Sequence, residues 1–237
     1  MKFLTFILAL FISLGSHAFC PFGDAAARKN GLESAISLYT HCALSQNDDE
    51  TQLMLARYYQ RQNNNTQSLF YYHLAADNGN AVAQTELAII LLNLDKDILT
   101  RQQILDYYGT VDNMIKSGSL TGFKSFKITP YALLILANEP ADKKWYYPST
   151  TKTDPTAAKH LKEYAPTLTE VKKKNALQEV QTFKSKKLLE AAQNVLTPSE
   201  FNQFQNSVFP SNGKADAFTA KQTLDYLKEK IESILQK

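Results

Sequence analysis

Glycine is scarce in this chain, eight among 237 residues. Turn dipeptides between β-branched runs are almost absent, which argues against the many-turned β-sandwiches and barrels. Arginine is missing from the whole second half. From Pro140 onward sixteen lysines face eleven acidic residues, whereas Phe19 to Glu139 holds nine basic against twelve acidic residues. Without the planar guanidinium fork used on phosphates and bases, these lysines read as solvated helix faces. A net charge of +3 is too small to indicate nucleic-acid binding.

Catalytic signatures are missing as well. There is no Gly-x-Ser-x-Gly, no glycine loop that could cradle a phosphate and no Cys/His pairing. His41, His73 and His160 lie far apart and share no metal-ligand spacing, so each is expected to be a surface or packing residue. The cluster Asp48-Asp49-Glu50 precedes a predicted helix, where carboxylates cap amides and suit the dipole. No metal, no cofactor and no enzymatic activity is expected.

Long apolar runs are confined to the beginning. Lys2 is followed by the apolar stretch Phe3 to Leu14 and by Ser16-His17-Ala18, the small-x-small arrangement at which signal peptidase cuts. A cleaved signal peptide over 1–18 and a mature chain from Phe19 are therefore expected, with a periplasmic or secreted product and no stable membrane insertion afterwards. Phe19 before Cys20 does not fit lipidation, which needs a small residue there. Cysteine is nearly absent too. Cys20 and Cys42 would be oxidised together in an exported protein. The other reading makes Cys42 a small core residue and leaves Cys20 free.

What is present is helix-forming: Ala, Leu, Gln, Lys and Glu. The stretch Leu69 to Asn80 carries Tyr71-Tyr72, Ala75-Ala76 and Gly79, followed by Ala83 and Leu87-Ala88. One repeat earlier, the same slots hold Ala35, Leu38-Tyr39 and Cys42-Ala43. Leu55-Ala56 takes the place of Leu87-Ala88 after a slightly shorter turn. A looser copy downstream passes through Tyr107, Met114-Ile115, Gly118 and Gly122. Two helical stretches in each such unit describe a helix-turn-helix repeat. Small Ala75, Ala76 and Ala83 permit close helix approach, and Gly79 falls where a left-handed residue ends the helix.

The run from Ser68 to Leu87, A/S-x-x-Y-Y-x-x-A-A-x-x-G-x-x-x-A-x-x-x-L, resembles the Sel-like repeat, a relative of the tetratricopeptide repeat. Leu55-Ala56-Arg57-Tyr58-Tyr59 is similar to that family's Leu-Gly-x-x-Tyr, with alanine for glycine. Gln62-Asn63-Asn64-Asn65-Thr66 departs from its glycine-rich turn. The likeness is specific from about Leu32 to Leu94 and faint to Phe126. It implies an all-α fold, a right-handed α-solenoid of Sel-like helix pairs, whose members act as adaptors in protein complexes.

The organisation expected is a repeat solenoid over 19–138, an aromatic loop or linker over 139–153, and a C-terminal helical region over 154–237 that caps the open end. Helices are predicted over Gly31 to Gln46, Asp49 to Gln62, Thr66 to Asn78, Ala81 to Leu94, Arg101 to Lys116, Tyr131 to Asn138, Leu168 to Leu196 and Thr219 to Leu235. Asp154-Pro155 and Thr197-Pro198-Ser199-Glu200 read as helix starts. Two function classes follow. The first is an exported, non-enzymatic adaptor that binds envelope or secreted proteins, and no nucleic acid, through Arg57, Gln60 and Arg61 of a concave face. The second is a binder of envelope carbohydrate such as peptidoglycan, or a cell-wall-acting protein, housed in the C-terminal half. Trp145 and Tyr146 would then form the sugar-stacking or docking surface.

Overall fold

A computed structural model describes residues 20–93, 128–149, 151–210 and 217–235. The proposed signal peptide, the predicted helix Arg101 to Lys116 and the third repeat copy lie outside them. Among the described residues the regular structure is entirely helical, with no strand. Among the described residues no helix is long and apolar enough to cross a membrane. The elements are α1 (Pro21–Asn30), α2 (Leu32–Ser45), α3 (Asp49–Arg61), α4 (Asn65–Asp77), α5 (Ala81–Asn93), α6 (Pro130–Asn138), α7 (Thr156–Tyr164), α8 (Glu170–Val195), α9 (Pro198–Val208) and α10 (Ala217–Leu235). The chain divides into two compact units, Ala18–Phe183 and Lys184 onward, with the division inside α8.

In the first unit each of α1 to α5 packs on the next, α5 packs on α6 and α6 on α7. Most of the matched repeat slots are buried, although Leu38 is exposed. Ala35, Ala43, Leu55, Ala56, Ala75, Leu87 and Ala88 are fully buried, and so are Leu136 and Ala137 of α6, a further Leu-Ala pair. Burial brings out a second regularity. Gln52 and Gln84 stand in matching slots, each three positions before its Leu-Ala pair, and both are fully buried. Gln52 Nε2 donates to the Ala43 carbonyl at 2.7 Å, and Gln84 Nε2 to the Ala76 carbonyl at 3.1 Å. The pairs α2/α3 and α4/α5 are thus tied by the same side-chain amide to backbone bond. Asn78 completes the first knot, donating to Gln52 Oε1 at 2.8 Å while exchanging amide bonds with Asn47.

The turns explain the departures from a glycine-rich pattern. Asn63 sits at φ +57°, a left-handed conformation that asparagine tolerates better than other residues with a Cβ. Asn64 then caps α4, accepting from Gln67 N at 3.2 Å. Two asparagines therefore replace the expected glycine and supply the next helix's cap. Asn63→Ala should lose about 1 kcal/mol of stability by urea denaturation and Asn63→Gly little. An equal loss in both variants would show that the side chain, not the backbone, matters there.

His73 is buried in α4, and desolvation pulls its pKa down to about 4. The unfolded chain protonates this imidazole near pH 6.5, but the folded one resists until about pH 4. Its contribution is therefore intact above pH 6.5 and is lost as the pH falls from there toward 4. At pH 5 the expected loss is on the order of 2 kcal/mol. Urea midpoints at pH 7 and pH 5 should converge in His73→Phe. An unchanged pH difference in that variant would remove His73 as the cause.

Downstream, Pro130 opens α6, close to the predicted start at Tyr131. Thr129 caps α6, and Glu179 of α8 accepts from both the Thr129 amide (2.8 Å) and hydroxyl (2.7 Å). Asp154 receives the Thr156 amide at 2.9 Å and the Thr156 hydroxyl at 2.7 Å, so the helix start read from Asp154-Pro155 is formed. Ala176, Val180 and Phe183 of α8 join the core that contains the repeat helices. The stretch 139–153, expected as an aromatic loop or linker, lies inside the first unit.

The second unit is a helical hairpin in which α9 packs on α10. Thr197 and Glu200 form the full capping box at the start of α9. Glu200 Oε1 also accepts Lys230 Nζ at 2.7 Å and the Tyr226 hydroxyl at 2.6 Å. Lys230, then Tyr226 and Thr197, hold this carboxyl well below the usual carboxylate range.

Candidate functional site

Helix α3 presents a stripe of residues at helical spacing: Glu50, Met54, Arg57 and Arg61. At 1.5 Å per residue it spans about 16 Å. The helix can hold this face outward because Leu55, Ala56 and Gln52 anchor its other face in the core. Leu53 and Met54 with Val82 of α5 and Leu32 of α2 make the apolar floor and wall of a concavity of about 410 Å³. A second concavity of about 360 Å³ lies beside it, walled by Gln60, Tyr72, Glu86, Ile89 and Ile90. Arg57 and Arg61 border both.

The two arginines differ in what they are bonded to. Arg57 Nε donates to Glu86 Oε2 at 3.0 Å and its Nη2 donates to Glu86 Oε1. The pair is bidentate and partly exposed, and Glu86 holds the guanidinium pKa further up. Tyr72, buried on α4, donates its hydroxyl proton to Glu86 Oε2 at 2.8 Å. Gln60 Oε1 is placed 3.0 Å from the same hydroxyl oxygen. A phenol has one proton, so the stable arrangement turns the Gln60 amide to donate to Tyr72. Burial and the neighbouring Glu86 raise the Tyr72 pKa, keeping it a donor.

Arg57 and Gln60, read from the sequence as partner-contact candidates, also have partners within the chain. Both are tied into a network with Tyr72 and Glu86. Arg61, one turn on, is exposed, and among the described residues it makes no ion pair or side-chain hydrogen bond. The partner of Arg57 lies 29 residues away on α5, a distance no local pattern reveals.

The aromatic loop is built as a clamp. Trp145, Tyr146 and Tyr147 stack edge to face in succession, and Tyr147 continues onto Phe183. Tyr147 is buried against Gly79, whereas Trp145 and Tyr146 are half-buried. Burial raises the pKa of both tyrosines. Farther along, Ser149 Oγ donates to Asp49 Oδ2 at 2.7 Å, and the Thr151 carbonyl accepts the Ala81 amide at 2.7 Å. Asp49 is buried, and desolvation raises its pKa, although Asn80 and Ser149 both donate to it. The loop is thereby fastened to the starts of α3 and α5. Little of Trp145 and Tyr146 is left as an open face for a sugar ring.

A disulfide joins Cys20 to Cys42, with Cα atoms 5.8 Å apart. It fixes the start of α1 to α2, where Tyr39 also donates its hydroxyl to Asp24 at 2.7 Å. Among the described residues no group of three or more His, Cys, Asp or Glu side chains is placed to hold a metal ion. No family model matches the chain, and no match was found among curated proteins or solved structures.

Proposed function

We propose that this protein is an exported, non-enzymatic adaptor that binds other proteins along the outward face of α3. The helix pairs would form a right-handed solenoid of the Sel-like kind. The observation that carries the reading is the groove itself. Repeated helix pairs place two adjoining concavities beside an arginine that nothing in the described chain neutralises. Apolar walls in both concavities beside charged residues fit a protein-binding surface. The Cys20–Cys42 disulfide supports export, because such bonds persist in oxidising compartments. So does the leader-like sequence over 1–18.

The test is affinity capture from envelope and secreted extracts of the native cells, with Phe19–Lys237 as bait and mass-spectrometric identification. A stoichiometric protein partner is expected, and Arg61→Glu should lose it while helicity stays unchanged. Retention of glycan alone, with no protein, would reject the adaptor and favour a carbohydrate binder.

A further inference from the structure

We infer that the groove recognises an extended segment of a partner protein in which one internal Asp or Glu lies between two aliphatic side chains. This rests on the adaptor reading and names the chemistry that the surface would select. Arg57 and Arg61 lie four residues apart and so share one face of α3. They border both concavities, so the two guanidinium groups form a ridge between them. On one side the walls include Leu53, Met54 and Val82, with Glu50 about 16 Å along the helix from Arg61; on the other they include Ile89 and Ile90. Aliphatic side chains fit both sides, and a cation-pairing group fits the ridge.

Charge decides the nature of that group. Two guanidinium groups against Glu86 leave one positive charge at the ridge. One carboxylate matches this charge, whereas a phosphate would bring nearly two negative charges. Arg57 is already fixed by the bidentate Glu86 pair, which orients it before a partner arrives. Arg61 has no such partner and supplies the charge-assisted bond. Geometry decides where the carboxylate sits in the partner. A chain end would fill one concavity and leave the other empty, so a segment that uses both must pass through. The carboxylate therefore belongs to a side chain inside the segment.

The probe is an array of capped seven-residue peptides with a central Glu, Gln, Lys or phosphoserine. Leu or Ser is set one, two or three positions to either side, and the array is read with the purified protein. Peptides with central Glu and Leu on both sides are expected to bind most tightly. Changing Glu to Gln should weaken them about tenfold or more, as should Arg61→Gln in the protein. That variant alters an exposed residue without a bonded partner, and its fold is checked by circular dichroism. Raised salt should weaken the Glu peptides and leave the Gln peptides nearly unchanged.

Tighter binding of the phosphoserine peptides, indifference to the central residue, or no binding across the array would each overturn the inference. So would Arg61→Gln binding the Glu peptides as the original protein does. None of these outcomes would by itself reject the adaptor, which fails only if extract capture yields no protein partner.

Discussion

Gly79→Ala is expected to destabilise the first unit by about 2 to 5 kcal/mol, since two independent penalties fall on one methyl group. Gly79 ends α4 at φ +90°, where a residue with a Cβ loses about 1 to 2 kcal/mol. A Cβ built there would also lie 2.5 Å from Cδ2 of Tyr147. That ring is buried and braced by Phe183 and Tyr146, so it cannot swing aside freely. Overpacking of this kind costs about 1 to 3 kcal/mol more. Gly79→Asn separates the penalties, because asparagine tolerates the backbone but keeps the clash. In a double-mutant cycle, Tyr147→Ala should recover the clash portion of the Gly79→Ala loss and leave the backbone portion. A loss below about 1 kcal/mol in Gly79→Ala would show that the loop does not press on α4.

Breaking the Cys20–Cys42 bridge gives the second large effect. The bond closes a loop across 22 residues, which in the chain-entropy model stabilises by about 3 kcal/mol. Both cysteines are buried beside Tyr39. Their loss removes packing in addition to the crosslink. For a unit of this size the expected fall in Tm is roughly 6 to 12 °C. Reductant-treated wild type should melt below the oxidised protein, and Cys20→Ala/Cys42→Ala somewhat lower again because it also loses buried sulfur. If reductant leaves the melting curve in place, α1 is not part of the cooperative unit.

The all-helical fold was legible because its signals are local. Ala75-Ala76, Leu87-Ala88 and Gly79 each depend on packing within one or two turns of their own helix, and the slots they predict are buried. The capping box at Thr197 and the start at Asp154 are equally local, and both form. Gln52 and Gln84 are visible in the sequence as identical residues in matched slots. Their role is not, because glutamine is normally a surface residue and only burial shows that each grips a carbonyl. The candidate site was legible by position but not by role. Arg57 and Arg61 look alike along α3, and they differ only because Glu86 arrives from α5. The clamp formed by the aromatic loop was illegible for the same reason, since Ser149 meets Asp49 across 100 residues.

The buried glutamines carry a consequence for how such a chain can change over time. Each amide holds a main-chain oxygen, a group present at every position whatever the side chain. The bond to the carbonyl therefore makes no demand on the side chain of the residue it grips, although Gln52 adds a contact to Asn78 that Gln84 does not share. A helix pair copied in tandem would bring its own glutamine and meet a carbonyl ready to receive it. The outward face of α3 can meanwhile diversify without disturbing that joint.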